Sequence, residues 1–170
     1  MDGSVKADVG VEGRTQETYL AYSRSTNLKG SGKLTPNKTV AFGLNPAQFD
    51  DTYSLGGQWK VGTQSVTSTE GSQARVSYNA SKVYHVLSGQ GAVTVSIAGE
   101  PDKTVTVSGT PNAYQLVDQQ TAERKTMTLT YSPGIRLHFQ LRLSRLRRRE
   151  PNTRQTSGLL SRPLVWLVLP

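Results

Sequence analysis

The sequence predicts an all-β fold, an antiparallel β-sandwich of the jelly-roll kind, and three observations lead there. Between Tyr53 and Leu141 apolar residues recur with period two, as in Val93, Val95 and Ile97 or Ile135, Leu137 and Phe139, the spacing that places them on one face of a strand. Glycine- and proline-bearing turn signals separate these runs about every ten residues, as the strands of a sandwich require. No segment sustains the apolar spacing of an amphipathic helix.

Taken in order, residues 1–16 carry three glycines, scattered charge and almost no apolar surface, so they read as a disordered linker. Glu17 to Arg24 follows, in which Tyr19, Leu20 and Tyr22 seed an edge strand where the chain enters its domain. Tyr53 and Leu55, then Gly56-Gly57 as a turn or bulge, then Trp59 and Val61 predict a strand pair. Ala74, Val76 and Tyr78 alternate with Arg75, Ser77 and Asn79, a strand with one wet and one buried face. Val83 to Leu87 is a continuous apolar run, expected of a central or doubly covered strand, and Ser88-Gly89-Gln90-Gly91 stops it. Val93, Val95 and Ile97, the turn Gly99-Glu100-Pro101-Asp102, and Val105 with Val107 form a hairpin. Further strands are centred on Tyr114 to Val117, Met127 to Tyr131 and, after the Pro133-Gly134 turn, Ile135 to Leu141. The expected domain therefore spans residues 17–141 and holds seven or eight strands.

Composition narrows the chemistry. The chain of 170 residues contains no cysteine, which removes thiolate nucleophiles, disulfides and thiolate metal sites. Its net charge of +8 is unevenly spread: residues 141–170 hold seven Arg and one Glu, +6, and leave +2 for everything before them. The body thus lacks the basic surface that nucleic acid demands. No cationic stretch followed by an apolar one opens the chain, and no apolar run approaches the ~20 residues of a membrane span. From Arg142 to Pro170 the composition turns to Arg, Leu, Pro and Ser. The favoured reading of 142–170 is an adventitious or disordered extension, of the kind a shifted frame of GC-rich DNA produces. Its alternative is a basic arm in which Arg142, Arg145, Arg147, Arg148 and Arg149 meet phosphates.

Specific residues then point to a family. Glu17-Thr18-Tyr19-Leu20 with Arg24 and Asn27, Gly57-Gln58-Trp59-Lys60-Val61-Gly62, Lys82-Val83-Tyr84-His85-Val86-Leu87 and Pro133-Gly134-Ile135 resemble the C-terminal domain of DipZ-type, thioredoxin-like thiol–disulfide interchange proteins over residues 15 to 140. The resemblance implies a galactose-binding-like jelly roll similar to carbohydrate-binding modules. It also implies a thioredoxin or redoxin partner that carries the redox motif, and an extracytoplasmic setting. The oxidoreductase activity of that family does not transfer to a chain without cysteine.

Sugar-binding sandwiches stack aromatic rings on pyranose faces and fix hydroxyls with a few polar groups. Candidate ligand contacts on that logic are Trp59, Tyr19 and Arg24, although core packing is the favoured reading of a Trp in an alternating strand. His85 lies in the most apolar run and is expected to be buried with one hydrogen bond; His138, out of phase with Leu137 and Phe139, is expected at the surface. Two histidines without clustered carboxylates make no zinc site; Asp50-Asp51 is more simply a solvated loop than part of a calcium site. No Gly-x-Ser-x-Gly elbow is present, and Gly-x-Gly at 30–32 and 89–91 reads as turns rather than a phosphate cradle. No catalytic residue, metal or cofactor is expected. The first functional reading is a non-catalytic accessory domain that binds carbohydrate, a cell-envelope component or a protein beside a redoxin. A purely structural domain, packing on that redoxin or driving oligomerisation, is the alternative, and nucleic-acid or anionic-surface binding through the Arg-rich tail comes third.

Overall fold

The computed structural model describes residues 16–19, 27–49 and 51–144, and every regular element among them is a strand. These are β1 (Gln16–Tyr19), β2 (Leu28–Lys29), β3 (Lys38–Phe42), β4 (Tyr53–Val61), β5 (Ser65–Ser68), β6 (Gln73–Ile97), β7 (Lys103–Tyr131) and β8 (Arg136–Ser144). Hydrogen bonding runs in the order β1-β8-β5-β4-β6-β7, with β2 and β3 on β4 and a further pairing of β8 with β6. All pairings are antiparallel except the two-residue β2–β4 contact. The predicted antiparallel sandwich is thus the observed one.

The sandwich is made by two strands that bend. β6 has 25 residues and β7 has 29, far beyond the about 5–6 of an ordinary strand. Gln73–Val76 pairs with Met127–Thr130, yet Val93–Ile97 pairs with Met127–Tyr131 from the other side. Both ends of β6 therefore flank the same stretch of β7, so β6 must curl over on itself and enclose a core. The ladder breaks between the pairs Ala80–Glu123 and Lys82–Asp118 and again between Leu87 and Gly89, and such irregularities are where strands bend. The first break also changes parity: Ala74, Val76, Tyr78 and Ala80 are buried before it, Val83, His85 and Leu87 after it. One residue, Ser81, moves the inward face from even to odd positions.

Two expected strand boundaries are corrected here. β4 is one strand running through Gly56-Gly57, not a pair. Its first half, Tyr53–Gly56, lies beside β6, and its second half, Trp59–Val61, lies beside β5, so the glycines mark a change of neighbour. Ser88 to Gly91 does not end a strand, because β6 continues through it. Val83 to Leu87 is central, between β7 and β8, but alternates like the rest, with Tyr84 and Val86 half-buried. The expected hairpin around Gly99 is found, with Val93 opposite Val105 and Val95 opposite Lys103. β8 runs through Ser144 with Leu143 buried, three residues into the Arg-rich segment; residues beyond it lie outside those described, as does the expected linker of 1–16 apart from Gln16, which opens β1.

Gly57 carries a testable consequence. Its φ of 78° is left-handed, and a Cβ there would sit 2.6 Å from the Gly71 carbonyl oxygen, a backbone atom that cannot swing away. Gly57→Ala is expected to destabilise the domain by about 1–3 kcal/mol, read as a lower urea midpoint at unchanged slope.

Candidate functional site

Ser68 sits at an inward position of β5 and organises the turn between β7 and β8. Its hydroxyl donates to the Ser132 carbonyl at 2.6 Å and accepts from the Ile135 N–H at 2.9 Å. Its backbone carbonyl accepts from the Gly134 N–H at 3.0 Å. A buried serine thereby fixes Pro133-Gly134 and the start of β8. There Arg136 lies opposite Thr67 on one side and Ser88 on the other, and His138 lies opposite Ser65.

Against this turn rests the second break of β6. Gly89 has a φ of 113°, and a Cβ on it would lie 2.7 Å from the Gly134 carbonyl oxygen, so only glycine lets the two backbones approach this closely. Where β6, β7 and the β7–β8 turn meet, a cleft of about 410 Å³ opens, lined by Ser88, Gly89, Gly109, Thr110, Pro111, Gly134, Arg136 and His138. That volume is in the range of small-ligand sites, about 300–1,000 Å³. A Cβ on Gly109 or Gly134 would meet nothing within 4 Å, so bare backbone faces open space at both positions.

The polar groups of the cleft converge. Ser88 Oγ and His138 Nε2 are 2.7 Å apart and hydrogen-bonded. Burial, and then the Arg136 guanidinium, hold the His138 pKa below its ordinary value, so the ring is neutral near pH 7 and its ring nitrogens offer one donor and one acceptor. A serine hydroxyl on a neutral imidazole is also the first half of a hydrolytic pair. Among the described residues, however, no carboxylate is hydrogen-bonded to His138 to orient it as such a pair requires.

Arg136 is the one charged side chain of the lining. A second, smaller depression of about 170 Å³ is bordered by Val95, Glu100, Lys103, Leu116 and Asp118 among others. Its charges are largely occupied by their neighbours: Lys103 Nζ donates to the carbonyls of Gln115 and Leu116, and Glu100 accepts from Lys125 at 2.6 Å.

Residues 15–139 match the family model described as thioredoxin like C-terminal domain. The chain belongs to that family. Two curated relatives, both named Protein DipZ, from Mycobacterium bovis and Mycobacterium tuberculosis, are 30% identical over 124 residues. The alignment covers 72% of this chain and 18% of each relative, so the chain spans less than a fifth of the length of the proteins it matches. Among solved structures, a family two carbohydrate esterase from Cellvibrio japonicus aligns with a TM-score of 0.45 and 12% identity, over 69% of this chain and 33% of that one. CsCBM6-3 from Clostridium stercorarium, solved in complex with cellobiose, aligns with a TM-score of 0.36 and 17% identity, over 54% and 76%.

Within this thioredoxin-like C-terminal domain the structure places one of the three candidate contacts, Trp59, in the core. Trp59 is 0% exposed. Its indole N–H donates to the Gly56 carbonyl at 3.0 Å and its ring meets Tyr131 edge-on at 5.3 Å, so it is a core residue and no stacking platform. Tyr19 is the last residue of β1, opposite Gln140 of β8; Arg24 and Tyr22 lie outside the described residues, as does Asp50. His85 is buried as expected, but neither ring nitrogen has a hydrogen-bond partner among the described residues. No group of three or more His, Asp or Glu gathers as metal ligands among them, and no helix there is long and apolar enough to cross a membrane.

The sequence reads His138 as a surface residue and Ser88, Gly89 and Gly134 as turn residues, and does not bring them together as a cleft. One local signal was present: Leu137 points inward, so Arg136 and His138 must both point out on the same side of β8.

Proposed function

We propose that the chain is the non-catalytic accessory domain of a thioredoxin-like thiol–disulfide interchange protein working outside the cytoplasm. In this reading it holds a saccharide or saccharide-bearing cell-envelope component in the Ser88–His138 cleft, beside a redoxin domain that does the chemistry. The observation that carries it is the family match over residues 15–139 in a chain with no cysteine, since disulfide exchange needs a thiolate that these residues cannot supply. A binding domain tethered to an enzyme raises the local concentration of whatever it holds. The convergent hydroxyls and neutral imidazole of the cleft suit a polyhydroxylated ligand.

The purified chain is expected to show no disulfide reductase turnover and no ester hydrolysis above that of a Ser88→Ala variant. In native gels containing a panel of neutral and acidic polysaccharides, at least one polymer should retard it, and Thr110→Trp, which fills the cleft from an exposed position, should abolish the retardation. Reductase turnover, Ser88-dependent hydrolysis, or migration unaffected by every polymer would each overturn the reading.

A further inference from the structure

We infer that the cleft is selective for sugars bearing a carboxylate, with Arg136 as the residue that receives it; this rests on the saccharide-binding reading above and names the ligand class. The first support is the sign of the site. Arg136 is the sole charge among the eight lining residues and no acidic side chain accompanies it. Nor is it in any ion pair among the described residues, whereas Lys82 has Asp118 at 3.4 Å and Lys125 has both Glu100 and Glu123 within 2.7 Å. Lys82 and Lys125 are neutralised from within the fold; the arginine of the cleft has no carboxylate beside it in the lining.

Position is the second support. Arg136 opens β8, held by ladder partners on both sides and by the Ser68 bonds to Gly134 and Ile135 next to it. Its backbone is therefore set before any ligand arrives, and a guanidinium presents its paired N–H groups to a carboxylate as a fork. The Ser88 and Thr110 hydroxyls and the His138 ring border the same space and complement ring hydroxyls. A free carboxylate such as acetate would use only the arginine.

The third support is what the lining lacks. No Phe, Tyr or Trp side chain is in it, and Trp59, the ring that would have stacked on a neutral sugar, is in the core. Without a stacking face, affinity has to come from charge-assisted hydrogen bonds, and the bare backbone at Gly109 and Gly134 leaves room for a flat ring to approach them.

Glucuronate and glucose share a ring and differ at one carbon, which makes them the decisive pair. Titrated into the isotope-labelled full chain, glucuronate is expected to shift the amide resonances of Gly89, Gly109, Thr110 and Gly134. Glucose should bind about tenfold more weakly or worse, as the loss of one charge-assisted pair predicts. Arg136→Gln should bring glucuronate down to the level of glucose while leaving the remaining amide spectrum, and hence the fold, unchanged. Equal affinities for the two sugars, or an unchanged ratio in Arg136→Gln, would overturn the inference while leaving a neutral-saccharide site standing. Acetate matching glucuronate in affinity would reduce the site to a simple anion pocket and also overturn it. Shifts with neither sugar would sink it, while the polysaccharide gels judge the accessory-domain reading separately.

Discussion

Trp59→Ala is expected to destabilise the domain by about 3–5 kcal/mol, a large share of the about 5–15 kcal/mol that holds a typical domain together. The indole has no solvent exposure, and its residue stands between Val40 of β3 and Ser68 of β5. Removing it opens a cavity where β4 changes neighbours, deletes the edge-on contact with Tyr131, and strips the Gly56 carbonyl of its indole donor. Trp59→Phe separates these contributions: a ring remains to fill most of the space and the hydrogen bond is the main loss, for about 1–2 kcal/mol. Urea denaturation followed by circular dichroism gives both numbers, the midpoint falling at constant slope. A loss below about 1 kcal/mol for the alanine variant, the range of surface substitutions, would return Trp59 to the surface and restore it as a ligand platform.

That prediction follows the favoured of the two readings the sequence offers for Trp59, core packing, and β4 itself shows why the sequence offers both. Period two assigns Leu55 and Trp59 to one face whichever way that face points, and Gly56-Gly57 between them carries no side chain to say whether the strand turns, bulges or runs on. Where alternation was uninterrupted, as from Val93 to Val107, local reading was enough, because the strands and their turn are contiguous. β3 and β5 escaped notice for a different reason. In β3 only Phe42 is fully buried, and in β5 one of the two inward positions is Ser68, a polar residue satisfied by carbonyls 64 and 67 residues away in sequence. A hydrophobicity pattern cannot register an inward serine whose partners are non-local. The cleft is hidden in the same way. Phase alone puts Arg136 and His138 on the outward side of β8, but what they face is supplied by Ser88, Gly89 and Gly109, brought there by the curl of β6 and β7.

The second large effect is a loss of stability in mild acid, carried by His85. Burial, and then the neighbouring His138, push its pKa down to about 3 from an ordinary 6.5. The sign follows from where the proton goes. Below pH 6.5 the unfolded chain protonates this imidazole and the folded chain does not, so each pH unit lost between 6.5 and about 3 removes about 1.4 kcal/mol of stability. Above pH 6.5 both states are neutral there and the contribution is complete. Between pH 6.5 and pH 4.5 His85 alone should therefore remove roughly 2 kcal/mol, the unfolded imidazole being half protonated already at pH 6.5. His138 adds a smaller fall of the same sign, because its pKa is also depressed. His85→Phe keeps an aromatic ring against Tyr131, which lies 6.3 Å away edge-on. It also removes two buried nitrogens that have no hydrogen-bond partner among the described residues. At pH 7 this variant should be no less stable than the parent, since apolar replacement of unsatisfied buried polar atoms is close to neutral or favourable. At pH 4.5 it should be the more stable of the two by roughly 2–3 kcal/mol, and its remaining slope should flatten further when His138 is also replaced. Urea midpoints at pH 7, 6, 5 and 4.5 test this directly. A parent whose midpoint does not move across that range, or a His85→Phe variant that loses stability in parallel with it, would mean that the imidazole takes up its proton without opening the core, and that the ring is not sealed in the core beside Tyr131.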